Sequence, residues 1–326
     1  MRISFFLFLF LIVLNTGCKD DKKSDLKDVS TDTPKQKAVV PPINVDSVYS
    51  FVEKQLSFGT RVPGSEGHKK MKDWLVEKCK SFGLEVEVQE FKASFLGKKD
   101  VPSYNIIASL NPDHKKRVLL AAHWDTRLIA EKDPDPAKQN KPIMGADDGG
   151  SGVAALMEIM RVMSEKPIDL GVDFIFFDAE DQGEDGGNWC IGSQYWSKNP
   201  HQKGYTAEWG ILLDLVGAKG ATFHKEEISR YFAGKYVDKV WDLAHKMGYE
   251  KYFIKQNVGQ IHDDHYYVNT IAKIPMIDII YTTPAGMFGK YHHTHNDDIG
   301  IIDKEVLKAV TQVTTATIYK YSDGSL

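Results

Sequence analysis

Two near-continuous apolar runs, Ile211–Val216 and Met276–Tyr281, constrain this chain more than any other feature. Runs that do not alternate mark strands buried on both faces, and such strands belong to parallel sheets covered by helices. Tyr104–Leu110, Arg117–Ala122 and Val172–Asp178 also read as strands, and Leu84–Phe91 alternates as a half-buried edge strand does. Helical spacing marks Val48, Phe51, Val52 and Leu56, then Glu66–Phe82 with Met71, Trp74, Leu75 and Cys79 on one face. Further helices are predicted over Ser151–Glu165, Ile228–Met247 and Lys304–Tyr321. Strands alternating with helices predict one α/β domain, with a mostly parallel central sheet flanked by helices on both faces. In such sheets ligands sit beyond the carboxyl ends of the strands, at a switch point in strand order.

The N-terminal region reads differently. Residues 1–17 have the pattern of a signal peptide: Arg2, then an apolar run, Ile3–Leu14, too short to span a bilayer comfortably. The following Leu14-Asn15-Thr16-Gly17-Cys18 looks like a bacterial lipobox with an atypical Asn15, which makes Cys18 the expected lipidation site. A plain secretory peptide or a membrane anchor is the alternative. Each buried methylene of an acyl chain contributes ~0.8 kcal/mol, so several chains on one Cys hold a protein firmly. Residues 18–42 are rich in Lys, Asp, Ser, Thr and Pro and predict a disordered tether, leaving 43–326 as the folded domain. The expected location is a bacterial membrane, with the domain exported to the periplasm or cell surface.

Composition limits the options. With 42% hydrophobic and 26% charged residues the chain is ordinary globular material, long enough for one large domain. A net charge of −4 with no basic stripe argues against nucleic-acid binding. Cys79 and Cys190 are either a disulfide in an oxidising compartment or two buried free thiols; neither sits in a CxxC pattern, so a sulfur-rich metal site is not expected. Gly149-Gly150-Ser151-Gly152 lacks the Lys of a phosphate loop, and no Gly-x-Ser-x-Gly elbow is present.

The chemistry gathers just beyond the predicted strands. Arg117–Ala122 runs into His123-Trp124-Asp125-Thr126-Arg127, Val172–Phe177 into Asp178-Ala179-Glu180-Asp181, and Ile211–Leu213 into Asp214. A loop before the helix at Ser151 holds Gly145-Ala146-Asp147-Asp148-Gly149-Gly150, and the loop after Met276–Tyr281 holds His292-His293-Thr294-His295. A lone Asp after a strand is usually a turn former or helix cap. Several carboxylates converging on one crevice repel one another unless a cation compensates them. Asp, Glu and His without Cys form a ligand set that suits zinc with an open catalytic position.

In this order, His-x-Asp, Gly-Ala-Asp-Asp-Gly, Phe-Phe-Asp-Ala-Glu-Asp, Leu-Leu-Asp-Leu-Val-Gly and His-Thr-x-x-Asp resemble the zinc aminopeptidase superfamily that includes glutaminyl cyclases. Within it the chain is most similar to bacterial cyclases of the animal type. The closer match lies in His123-Trp124-Asp125-Thr126-Arg127, Asp133-Pro134-Asp135-Pro136, Trp189 to Trp196 and Asp263-Asp264-His265. The resemblance implies a single zinc on Asp148, Asp181 and His293, with Glu180 as general base and acid and Asp214 and Asp263 as a hydrogen-bonded acidic pair beside it. It implies peptide N-termini as substrates, and a monomer is expected. An aminopeptidase instead holds two zincs, on His123, Asp148, Asp181, Asp214 and His293, and all five residues are present. Asp263 is the expected discriminator, since a carboxylate there can share a proton with Asp214 and keep it from bridging a second ion. A non-catalytic binding lipoprotein on the same fold is the third possibility. His123 and Asp125 are candidates for a second metal or for support of the first. Trp124, Arg127, Trp189, His262, Phe288 and His292 are candidates for the substrate pocket. The family usually has Trp where this chain has His292, which implies a different pocket shape or substrate preference.

Overall fold

Helix starts follow local chemistry. Asn44 Oδ1 accepts the N–H groups of Asp46 and Ser47 and opens α1 (Val45–Leu56); Ser65 caps His68 and opens α2 (Glu66–Ser81). The computed structural model describes residues 38–184 and 187–326; the signal segment 1–17, Cys18 and the tether as far as residue 37 lie outside the described residues. Strands β1 (Glu85–Phe95) and β2 (Lys98–Leu110) form a hairpin whose turn residues, Leu96 and Gly97, both have positive φ. Next come β3 (Arg117–His123), α3 (Gly150–Glu165), β4 (Gly171–Phe177), α4 (Ile191–Lys198), β5 (Gly210–Asp214) and the short β6 (Phe223–Lys225). The chain closes with α5 (Glu227–Lys246), β7 (Phe253–Asn257), α6 (Asp264–Tyr267), β8 (Met276–Ile280) and α7 (Lys304–Asp323). A π-helical turn, Val268–Ala272, follows α6 directly.

Six strands make the central sheet in the order β1-β2-β4-β3-β5-β8, parallel across β4-β3-β5-β8 and antiparallel at the β1-β2-β4 end. The expected single, mostly parallel α/β sheet is therefore what forms. Its two faces separate residue by residue. Val118, Leu120 and Ala122 of β3 join the larger core with α2, α3, α5 and α7, while Leu119 and Ala121 face the smaller one with Trp196 and Val268. Order reverses at β3, which pairs with β4 on one side and β5 on the other, so the end of β3 is the switch point. Cys79 and Cys190 are free and buried rather than paired. No helix among the described residues is long and apolar enough to cross a membrane.

Four elements were not legible in the sequence. α4 and α6 are too short for a periodic pattern, and β6 pairs with β7 in a separate two-stranded ribbon. β2 also starts earlier than its apolar run, because its exposed first half is held by the hairpin rather than by burial.

The close approach of α3 to β5 fixes the site. A Cβ on Gly152 would lie 2.2 Å from the Leu213 carbonyl oxygen. Gly152→Ala is expected to destabilise the fold by ~1–3 kcal/mol through overpacking. A lower urea midpoint with an unchanged m-value checks this.

Candidate metal centre

At the strand ends, side chains from several loops meet around a cavity of ≈ 670 Å³. His123 ends β3, 1% exposed, with Nε2 3.1 Å from Asp214 Oδ1 and 3.2 Å from Asp148 Oδ1. Burial pulls its imidazole down, but Asp214, Asp125 and Asp148 outweigh that and hold it well above the ordinary value. Asp148 reaches the site from the loop before α3, where Gly149 has φ +83 and an added Cβ would meet the Asp125 carbonyl at 2.8 Å. Asp297 holds this loop by accepting the N–H groups of Asp147 (2.8 Å) and Asp148 (3.1 Å). Arg61, buried at the start of α2's approach, donates to the carbonyls of Trp124, Met144 and Gly145 and ties the same loop to the end of β3.

After β4 the chain turns sharply at Ala179, whose φ is +54. Asp125 makes that turn: its Oδ1 accepts the Glu180 N–H (3.0 Å) and its Oδ2 the Asp181 N–H (3.3 Å). Asp181 Oδ1 lies 3.0 Å from His293 Nε2, and Asp148 Oδ2 lies 3.8 Å from the same nitrogen. The structure thus brings Asp148, Asp181 and His293 together on one ring nitrogen. Asp148 Oδ2 and Asp181 Oδ2 are buried with no hydrogen-bond partner. Leaving a buried polar group unpaired costs roughly 1–3 kcal/mol, and more when it is charged. A divalent ion removes that penalty, and the donor set of two carboxylates and one imidazole suits zinc.

Two neighbouring histidines compete for the ligand role, and hydrogen bonding separates them. His293 Nδ1 bonds Glu131 Oε1 at 2.5 Å, which keeps a proton on Nδ1 and makes Nε2, the nitrogen facing the carboxylates, the one that would give up its proton to a metal ion. His292 Nδ1 lies 2.7 Å from Lys132 Nζ. An ammonium can only donate, so the His292 proton sits on Nε2, and that nitrogen has no lone pair to offer. Burial lowers His293, but Asp181 and Glu131 outweigh it and push the imidazole up to about 9; burial and the His293 charge push His292 down to about 3.

Glu180 lies beside this group, with Oε1 3.2 Å from the Cys190 thiol, which donates to it. Burial raises the Glu180 carboxyl well above the usual range, with His123 opposing and Asp263 adding to the rise. Asp214 is pushed up to about 7, again chiefly by burial and against His123. The expected hydrogen bond between Asp214 and Asp263 is not among those formed. Asp214 bonds His123, while Asp263 caps α6 and its Oδ1 accepts the Asp264 N–H.

The pocket candidates divide. Arg127, Trp189, His262, Phe288 and His292 line the cavity. Trp124 does not: it is fully buried, stacked on His68 at 4.3 Å, with its indole N–H on the Tyr104 carbonyl. Asp125 organises the 180–181 turn rather than facing the cavity. Arg127 is no surface residue either; it bonds Glu131 Oε2 (2.6 Å) and the Asp181 carbonyl (2.9 Å), with its guanidinium 4.6 Å from the Trp189 ring. His265 is buried against Glu226, away from the cavity lining. His295 and Asp133 pin two site loops together at 2.8 Å. Glu131, Lys132 and Arg61 were not singled out from sequence, Cys190 was read there only as a disulfide partner or a free thiol, and only the Arg127–Glu131 spacing of four offered a local hint.

Fold and site together define a metal-dependent α/β enzyme with its ligands on strand-end loops. The model of peptidase family M28 matches residues 105–318, and the chain belongs to that family. It is similar in structure to a Zn-dependent exopeptidase from Parabacteroides distasonis, with 47% identity, a TM-score of 0.84, and coverage of 86% of this chain and 99% of that one. The glutaminyl cyclase of Porphyromonas gingivalis is similar at 44% identity, TM-score 0.84, over 86% of this chain and 99% of that one. Among curated proteins, the glutaminyl-peptide cyclotransferase of Drosophila melanogaster is 28% identical over 173 residues, 50% of this chain and 46% of that protein. An aminopeptidase of Bacillus subtilis is 26% identical over 230 residues, 67% of this chain and 44% of that protein. The chain spans about half the length of these curated relatives.

Glu131→Gln removes the carboxylate that orients His293. It is expected to weaken divalent-ion retention by about 10–100-fold, read by competition against a chelator.

Proposed function

We propose that the protein cyclises the N-terminal glutaminyl residue of peptides to pyroglutamate with release of ammonia, as a monomeric glutaminyl-peptide cyclotransferase with one zinc ion. Similarity to the cyclases of P. gingivalis and D. melanogaster supports the activity. The observation that carries the reading is the placement of Glu180 beside Asp263: an oxygen of each, with Cys190 Sγ, falls within one 4.8 Å cluster at the cavity. This is a base next to a second carboxylate, as an N-terminal amine requires.

Held by Asp148, Asp181 and His293, zinc supplies Lewis acidity toward the side-chain carbonyl of the substrate. The substrate brings its own nucleophile, the α-amine, and its own electrophile, the side-chain amide carbon. Glu180 Oε2, the oxygen not tied to Cys190, takes a proton from the amine as the ring N–C bond forms. The C–NH₂ bond breaks and the same carboxyl returns the proton to the departing nitrogen, which leaves as NH₃. No water is consumed. Asp263 and Asp214 flank the amine, and the cavity walls hold it against the amide carbon.

A two-zinc aminopeptidase is the second reading. It draws support from the B. subtilis relative and from the cluster of His123, Asp148 and Asp214.

Incubation with a Gln-initiated and a Leu-initiated peptide separates the readings. Ammonia release with Gln alone is expected; a freed amino acid indicates the aminopeptidase, and neither product with no bound metal indicates a binding protein. Metal analysis is expected to give one zinc per chain, and two would overturn that part. Glu180→Gln is expected to lower kcat by roughly 10²–10⁴-fold while zinc content holds. Because the base must be ionised and its pKa is raised, activity should be lost on acidification at a pH above the ~4.3 of an ordinary glutamate.

The proposal includes export and lipid anchoring at Cys18, facing the periplasm or cell surface. Cys18→Ser should move the protein from the membrane to the soluble fraction; a wild-type protein already soluble overturns the anchor.

A further inference from the structure

Two basic side chains line the cavity, Arg127 and Lys132, and they are employed differently. Arg127 is committed to Glu131, to the Asp181 carbonyl and to the face of Trp189. Lys132 has no carboxylate within ion-pair distance among the described residues. Its sequence neighbour Glu131 is turned away, shared between Arg127 Nε and His293 Nδ1. Lys132 donates its Nζ to His292 Nδ1 at 2.7 Å and its backbone N–H to the His293 carbonyl at 3.3 Å, so it is tied to the histidine loop at both ends.

His292 is itself fixed, stacked on His293 at 3.7 Å and against Phe288 at 4.6 Å. Its Nδ1 accepts, so the ring is neutral: it holds the ammonium in place without cancelling its charge. Two of the three ammonium donors remain free. His292 Nε2 faces Asp148 Oδ2 at 3.8 Å, so Lys132 stands across the imidazole from the metal-ligand candidate. Lys132 lies in the wall of the same cavity as Glu180, Asp148 and Asp181, within the space open to the part of a substrate beyond its reacting residue. The cavity, at ≈ 670 Å³, lies well inside the roughly 300–1,000 Å³ range that takes drug-sized ligands, with room for more than one residue.

We propose that Lys132, positioned by His292, is the receptor for a carboxylate on the part of the substrate that follows the N-terminal glutamine. This rests on the cyclase reading of the same site. The carboxylate is either an acidic side chain at the second residue or the free C-terminus of a dipeptide. A partly buried pair of this kind, with a charge-assisted hydrogen bond, favours the anionic substrate by about fivefold or more.

The test compares the amidated peptides Gln-Glu-Ala and Gln-Gln-Ala, which differ by one charge, and Gln-Gly with and without a C-terminal amide. On the zinc enzyme, kcat/KM is expected to favour Gln-Glu-Ala at least fivefold through KM, or free Gln-Gly over its amide, whichever carboxylate is recognised. Lys132→Met should bring that ratio close to one, and Lys132→Arg should keep part of it. Equal kcat/KM for both members of each pair, or a preference that survives Lys132→Met, overturns the proposal. Calorimetric binding of the matching pyroglutamyl peptides gives a readout that does not need turnover. If no Gln peptide releases ammonia, yet Lys132 still determines a preference for the anionic pyroglutamyl peptide, the cyclase reading fails and the receptor stands. Ammonia from every peptide, with equal affinities, sinks the receptor and leaves the cyclase reading intact.

Discussion

Negative charge held out of water is the constraint on which the rest of this structure depends. Asp125, Asp148, Asp181, Asp214 and Asp263 are all buried within one rim of the sheet, with Glu180 beside them. Isolated buried carboxylates shift their pKa or find a counter-charge. Each solution is used here. Asp125 is held down by the His123 imidazole and by the N–H groups it accepts, whereas Glu180 and Asp214 drift toward protonation. Asp148, Asp181 and Asp263 each keep an oxygen free of any partner, and the first two face the same His293 nitrogen, where a cation would satisfy them together.

The scaffold makes such crowding tolerable because the loops are fastened from behind. Arg61 and Asp297 fix the approach to Asp148, Asp125 fixes the 180–181 turn, and Asp133 with His295 joins the loop carrying Glu131 to the loop carrying His293. These contacts use backbone groups as much as side chains, so the positions survive the mutual repulsion of the groups they carry. The sheet beneath contributes strands with uninterrupted burial, which keeps water away from the floor of the site.

Much of this was legible beforehand, for a physical reason. Buried parallel strands leave unbroken apolar runs, and polar residues at their carboxyl ends contrast with that background. Glu180, Asp181 and Asp214 stand out that way, whereas Asp148 and His293 lie in loops farther from the strands, and the roles of all five were implied by the ordered motifs of the family resemblance. Contacts set by the path of a loop leave no such trace. Glu131 and Lys132 sit in an irregular segment whose direction only the folded chain determines. Trp124 misled for the opposite reason: it follows a strand, as a pocket aromatic does, but the strand's alternation continues past His123 and turns the indole into the core. The choice between His292 and His293 rested on a family spacing in the sequence, and in the structure it rests on which nitrogen each ring has to spare.

Ala179, Cys190, Leu215 and His293 all adopt left-handed backbone conformations, and each is, or adjoins or bonds, a working residue. Non-glycine residues hold such angles only where their surroundings over-determine them. Each of these four positions therefore holds a conformation that costs a little locally and that the packing around the rim sustains. Efforts to toughen this protein by relaxing those four positions would trade performance for durability, so thermal hardening is better sought in the helical layer far from the rim.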